Sequence, residues 1–338
     1  MADWAGLQHD LVIEIAERVP SMESYNSLGA VCKSWRDAAT KGHLNQKAFE
    51  GPWLMHAEKG EEKGSSPEQQ QQEGMREFSS VSLGGKTRKI FLPEASKKRC
   101  LSCRDWLLVV AEDEIQACLL HPLSRVQINL PKLNNLPHYD SMISYNLHFV
   151  EKVVLSADPS STSDFIVIVI WGRRNRLGLC KPGDTSWTAM DEWLDPFFDI
   201  VYCNNKLYAL DWDSRVVTCD VDGQKFHQVF ALPPQLIPKK YLVEFWEKFL
   251  IVYRHIDIQE DFYKTEGFTV FEVNIEDGTS VEVKDLGNKA LFLGYNSSFS
   301  IECSDFNNCK PNCIYFTDDS MDIYLSFEEG GGKDMGIL

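Results

Sequence analysis

Apolar residues along this chain change their rhythm twice. Between residues 4 and 40 they recur at helical spacing. Leu7, Leu11, Ile15 and Val19 fall every four residues, with Val12 and Ala16 beside them, which lays them along one face of a helix. Asp10 is placed to cap or complement the positive end of that helix, and Pro20 ends it. A second short helix from Ser21 carries Met22, Tyr25 and Leu28. After a bend at Gly29, a third turns Ala30, Val31, Trp35 and Ala38 inward, with Lys33, Ser34, Arg36 and Asp37 around its other side. A piece of about 40 residues is too small to be very stable alone, so its apolar remainder must dock on the rest of the chain or on a partner.

The helical rhythm then stops. Pro52-Trp53-Leu54-Met55 is apolar enough for a strand or an anchor, and residues 60–74, GEEKGSSPEQQQQEG, contain no hydrophobic residue and read as a polar insertion. From residue 78 the pattern becomes short β-rich runs between turn residues. Strands are predicted near 78–83, 87–92, 106–110, 116–121, 125–130, 149–156, 164–171, 176–181, 186–190, 199–203, 206–211, 215–220, 226–230, 241–247, 249–255, 267–275, 279–285, 290–293, 298–302, 313–317 and 322–327. Gly183-Asp184, Asn204-Asn205 and Asp277-Gly278 supply the positive φ that tight connections need. Strands grouped in fours at a period of roughly 45 residues predict an all-β propeller. Five blades are expected, with six as the alternative. The strands at 78–92 are left over at the front, free to close the ring with a C-terminal neighbour. The domain plan is a small all-α piece at 1–50, a linker with the polar insertion at 51–77, and a propeller at 78–338.

Two stretches resemble known families. Leu7, Asp10-Leu11, Ile15 and the ending Val31-Cys32-Lys33-Ser34-Trp35-Arg36 resemble the F-box, with Trp4 as in plant members. Gln8 departs from the pattern, standing where that family carries a proline that would pre-set the helix start. From Pro52 to Gly336, phrases such as GPWLM, GKTRKIFLPEA, LLHPLSRVQINLP, DFIVIVIWG, DIVYCNNKLYALD and CKPNCIYFTDD resemble the plant F-box-associated domain called the KIB domain. Together these resemblances imply a plant protein that recruits substrates to a Skp–cullin–F-box ubiquitin ligase. The F-box would bind a Skp-type adaptor, and through it a cullin, by Leu7, Leu11, Ile15, Val31 and Trp35. The propeller would hold an unknown protein substrate. The resemblance carries no catalytic residues and no cofactor.

Composition narrows the partners. A net charge of −16 argues against general nucleic-acid binding, which needs a basic footprint. The longest apolar run, Phe165 to Trp171, is too short to span a bilayer as a helix, and Asp3 and Asp10 interrupt any leader-like run. A soluble protein of the nucleus or cytoplasm is expected. Ten cysteines scattered through apolar runs fit a reducing compartment.

Candidate chemistry is sparse. Gly84-Gly85-Lys86-Thr87 imitates a phosphate-binding loop, but Ser80 replaces its first glycine and the sequence that follows reads as a strand. Cys100 with Cys103, and Cys309 with Cys313 near Cys303, lack the pairing of a zinc site. No catalytic motif accompanies the histidines. A propeller enzyme therefore stays the alternative from another class, beside an F-box protein that binds partners without assembling a ligase. Substrate recognition is expected on the face that collects the long connections 131–148, 191–198, 231–240, 256–266 and 303–312 with the arginine turn 172–175. Tyr139, Arg173, Arg174, Trp193 and Phe197 are its candidate anchors.

Overall fold

The structure, a computed structural model, describes residues 6–17, 31–35, 52–56, 74–80, 87–111, 115–136, 139, 149–172, 174–190, 193, 195–220, 225–233, 239–246, 248–258, 263–306, 309–319 and 334–338. It divides into two compact units. The first comprises residues 1–97, 120–127 and 304–309, and the second comprises 98–119, 128–303 and 310–338.

In the first unit, His9–Glu17 forms a helix (α1) with Asp10 in its first turn, where a carboxylate favours the exposed N–H groups. Val12 is fully buried against Trp35, with Leu7, Ile13 and Cys32 around the pair. The same unit holds a three-stranded antiparallel sheet of Trp53–Met55 (β1), Met75–Ser80 (β2) and Thr87–Phe91 (β3). Alternation in β2 buries Phe78, which packs with Ile90 against Trp53, Met55 and Leu123. Arg125 grips Glu94 with Nε and Nη2, at 2.9 and 2.5 Å.

The second unit is built from five four-stranded sheets. Arg99–Cys103 (β4), Trp106–Val110 (β5), Ala117–Leu120 (β6) and Gln127–Asn129 (β7) make the first. Val150–Leu155 (β8), Val167–Trp171 (β9), Arg176–Cys180 (β10) and Thr188–Met190 (β11) make the second. Phe197–Cys203 (β12), Lys206–Asp211 (β13), Arg215–Asp220 (β14) and Lys225–Ala231 (β15) make the third. Lys239–Phe245 (β16), Lys248–Ile258 (β17), Tyr263–Asn274 (β18) and Thr279–Val283 (β19) make the fourth. The last contains Lys289–Leu293 (β20), Ser298–Glu302 (β21), Cys313–Phe316 (β22) and Gly336–Ile337 (β23).

Side-chain alternation explains why these sheets stack. Val167, Val169 and Trp171 of β9 enter the apolar layer shared with β4–β6, while Ile168 and Ile170 enter the layer shared with β12–β14. In the same way Leu250 and Val252 of β17 face β20 and β22, and Phe249, Ile251 and Tyr253 face β13 and β14. A strand sandwiched between two layers must be apolar at every position, which is why 165–171 reads as one unbroken hydrophobic run. The first and last of these sheets also meet. Ser102 and Ser297 hydroxyls lie 2.8 Å apart, and Asn296 Nδ2 donates to Ser102 Oγ at 3.2 Å.

The propeller-like all-β reading holds, but six sheets are present where five blades were expected. Residues 75–91 are not a leftover pair, because β1 adds a third strand from within the stretch expected to be linker. β4 was missed because RCLSC mixes Arg, Ser and Cys, and β23 because only its pairing with β22 makes two residues a strand. The expected strand at 322–327 lies outside the described residues. The last sheet is not a simple meander, since β22 runs parallel to β20. The connection 303–312 therefore leaves and returns beside Lys289, whose ammonium stands 4.2 Å over the Trp246 ring in the β16–β17 turn. That is the tight-turn end of the sheets, opposite to the face expected for it. Among the described residues no helix is long and apolar enough to cross a membrane.

Candidate functional site

Two surfaces carry recognisable chemistry. The first lies on α1. Val31, expected to face inward, is corrected: it is 52% exposed, and Leu11 and Ile15 are 45% and 38% exposed, while Val12 and Trp35 form the buried contact and Leu7 is partly buried against it. Leu11 and Ile15, one turn apart, thus face out, while Val12 beside them faces in. The helical residues expected at 18–30 and 36–40 lie outside the described residues.

The second surface is the end of the sheets where β9 turns into β10 and β13 into β14, and where β11 leads to β12 and β15 to β16. Backbone hydrogen bonds tie these loops together. Phe197 N–H donates to Asn175 O at 3.1 Å, and Trp212 N–H to Pro196 O at 2.9 Å. Arg176 Nη1 donates to Trp193 O at 2.7 Å. Trp193 Nε1 reaches Asp211 Oδ2 at 3.2 Å, and Arg215 lies 5.2 Å from the Trp193 ring centre. Arg215 is shared by three carboxylates: Nε binds Asp211 at 2.6 Å, and Nη2 binds Asp195 and lies 3.4 Å from Asp213. Burial works against its charge, but Asp211 and Asp195 raise its pKa overall. Lys240 lies beneath, 3% exposed, donating to Trp212 O, with its ammonium 5.3 Å from the Phe198 ring centre. Burial lowers the pKa of Lys240, opposed by Asp211 and Asp213. Above it Trp212, 52% exposed, stacks on Phe198 with ring centres 5.1 Å apart.

Of the anchors expected from sequence, Arg174 is exposed in the turn after β9, and Arg173 lies outside the described residues. Trp193 is half-buried and held by Asp211 and Arg215. Tyr139 packs edge-on against Phe149 at 4.9 Å, against the first apolar layer. Phe197 is corrected outright: it is fully buried and stacks on Phe226 at 5.8 Å. Sequence reasoning missed Trp212, Phe198, Lys240 and Arg215. The signal for Trp212 was present, since a large aromatic between Asp211 and Asp213 in a turn has no core to enter.

A buried ion pair braces the frame under this face. Lys152 of β8 pairs with Asp199 of β12, which also accepts Leu242 N–H of β16 at 2.9 Å, so one carboxylate joins three sheets. Burial raises the Asp199 pKa, and Lys152 opposes that rise. Cys100 and Cys103 of β4 are an odd number of positions apart and so project to opposite faces, away from a shared ion. Among the described residues no three His, Cys, Asp or Glu side chains converge as metal ligands.

Comparison with known proteins matches residues 78–337 to the family model described as KIB1-4 beta-propeller. Several Arabidopsis thaliana proteins are similar over nearly the whole chain. The putative F-box protein At1g65770 is 25% identical, over 99% of this chain and 94% of its own. The F-box protein At2g26160 is 24% identical, over 94% and 96%. The F-box protein SKIP23 is 24% identical, over 100% and 87%.

Proposed function

The chain belongs to the KIB1-4 beta-propeller family, and from that premise we propose that it is the substrate-recruiting F-box subunit of a Skp–cullin–F-box ubiquitin ligase. It performs no bond chemistry. It raises the local concentration of a bound substrate's lysines near the ligase's ubiquitin donor. The observation that carries the reading is that the apolar side chains Leu11, Ile15 and Val31 are exposed while Val12 and Trp35 are buried together, in the stretch that resembles the F-box. Apolar side chains facing solvent on so small a helical piece are stabilised by a partner that covers them. The likeness to proteins named F-box along nearly their full length supports the same reading.

The test separates surface from core. Leu11→Asp and Val31→Asp alter exposed positions, where a substitution changes stability by about 0.5 kcal/mol or less. Both should leave the thermal melt unchanged and abolish capture by a purified plant Skp-type adaptor. Trp35→Ala truncates a buried ring at a cost of about 3–5 kcal/mol, and should lose capture by unfolding the helical piece. If the wild-type chain fails to bind the adaptor while another F-box protein binds it, the ligase reading is wrong. Gln8→Pro should tighten binding, because proline fixes φ near the value that the first helical turn requires.

A further inference from the structure

The exposed indole of Trp212 has an unusual electrostatic setting. Its own stacking partner Phe198 is partly buried below it, so one ring face is already used and the other meets solvent. The charges around it are sorted by depth. Asp195 and Asp213, whose side chains are 46% and 47% exposed, stand at the surface. The cations lie deeper: Lys240 is almost wholly buried under Trp212, and Arg215 is only 25% exposed. One guanidinium faces three carboxylates, Asp195, Asp211 and Asp213, and a single nitrogen of it is shared by the two exposed ones. A molecule approaching this face therefore meets an exposed aromatic ring flanked by two half-exposed carboxylates, with the cations set deeper.

We propose that this patch binds a basic segment of a protein partner, with a lysine or arginine side chain lying on the Trp212 indole and its head group directed to Asp195 and Asp213. The aromatic face attracts a cation through its quadrupole, and the apolar stem of a long basic side chain covers the ring. The chain's net charge of −16 favours the approach of such a partner. Lys240 and Arg215 have a positioning role. They hold Trp212 by its carbonyl oxygen and Asp195 by its carboxylate, so that ring and carboxylates are arranged before the partner arrives. The inference rests on the substrate-receptor reading and gives the chemistry of what that receptor holds.

The test uses the full chain, immobilised, and a random-sequence peptide library displayed on phage. Selected peptides should be enriched in Lys and Arg, and a synthetic copy should bind less tightly as salt is raised. Trp212→Ala and Asp213→Lys should each weaken that peptide by tenfold or more with an unchanged melt. Asp195→Lys provides a second charge reversal if either variant folds poorly. Asp277→Lys makes the same charge change in the β18–β19 turn at the other end of the sheets, and should bind normally. Enrichment of acidic, phosphate-mimicking or purely apolar peptides overturns the proposal. So does enrichment of none, or of basic peptides that bind every variant equally. Adaptor capture is measured in parallel. Basic-peptide binding without adaptor capture discards the ligase reading and keeps the patch, and the reverse result discards the patch alone.

Discussion

Lys240 shows how one side chain is set by its surroundings. A lysine head group 3% exposed, donating to Trp212 O and facing the rings of Phe198, Trp212 and Tyr253, is held by dipoles and quadrupoles, with no direct ion pair among the described residues. Burial therefore lowers its pKa from 10.5, with Asp211 and Asp213 opposing. The sign of the consequence follows from linkage. Between the lowered folded value and 10.5 the unfolded chain holds a proton that the folded one has released, so stability from this group rises with pH there. Paired denaturant melts of wild type and Lys240→Met, taken from neutral pH upward, should show the difference shifting in favour of wild type as pH approaches 10.5. A difference that stays constant with pH would refute the burial argument. Phe197 and Phe198 make a related point: adjacent and chemically identical, one is core and the other supports the exposed indole.

At the scale of elements, the C-terminal strand depends on a single buried arginine. β23 is two residues long and among the described residues pairs with β22 alone, too little to hold it by itself. Arg254 of β17, fully buried, supplies the rest. Nη1 donates to Asp319 Oδ1 at 2.7 Å and to Thr317 O at 2.9 Å, while Nη2 donates to Asp334 Oδ2 at 2.9 Å. Nε donates to Thr265 Oγ1 at 2.7 Å, and that hydroxyl donates to Asp334 Oδ2 at 2.7 Å. The guanidinium also lies 4.9 Å from the Phe316 ring centre. Burial alone would lower its pKa, but Tyr241 and the two carboxylates raise it above the ordinary value. Arg254→Ala leaves two carboxylates buried without their cation, so a loss of about 3–5 kcal/mol is expected in urea unfolding. Deleting residues 334–338 removes β23 and one of the carboxylates but leaves Asp319 paired, so its loss should be smaller. Equal losses would show that the arginine acts only through β23.

The whole molecule is not cut where the chain changes rhythm. Residues 120–127 belong to the first unit although they interrupt the second in sequence, and Leu123 packs with Phe78 and Ile90. A chain beginning at residue 52 keeps β1, β2 and β3, and should give the β-rich circular dichroism and cooperative melt of the full chain. One beginning at residue 98 strips the sheet from Leu123 and Arg125, and should melt lower or aggregate. If the shorter chain melts identically, the three-stranded sheet contributes nothing to the stability of the rest.

Sequence alone determined most strand positions, because alternation of buried and exposed side chains is a local property of extended backbone. Asn204-Asn205, both at positive φ, and Gly183 and Gly278 turned the chain where their side chains allow it. The helical spacing of Leu7, Leu11 and Ile15 was equally legible. What tertiary structure decided was phase and partnership. Which side of α1 faces inward depended on Trp35, which chose Val12 and left Leu11 and Ile15 outside. Which of Phe197 and Phe198 is buried depended on the register shift between Phe197 and Asp199 and on the layer shared with β9 and β10. The sixth sheet needed β1 to pair across the polar insertion, and the end of the last sheet needed β22 to pair parallel to β20. The patch around Trp212 brings together Asp195 from the β11–β12 connection, Trp212 and Arg215 from the β13–β14 turn and the start of β14, and Lys240 from the next sheet. Their convergence arises from blade packing, a long-range contact that no local period encodes.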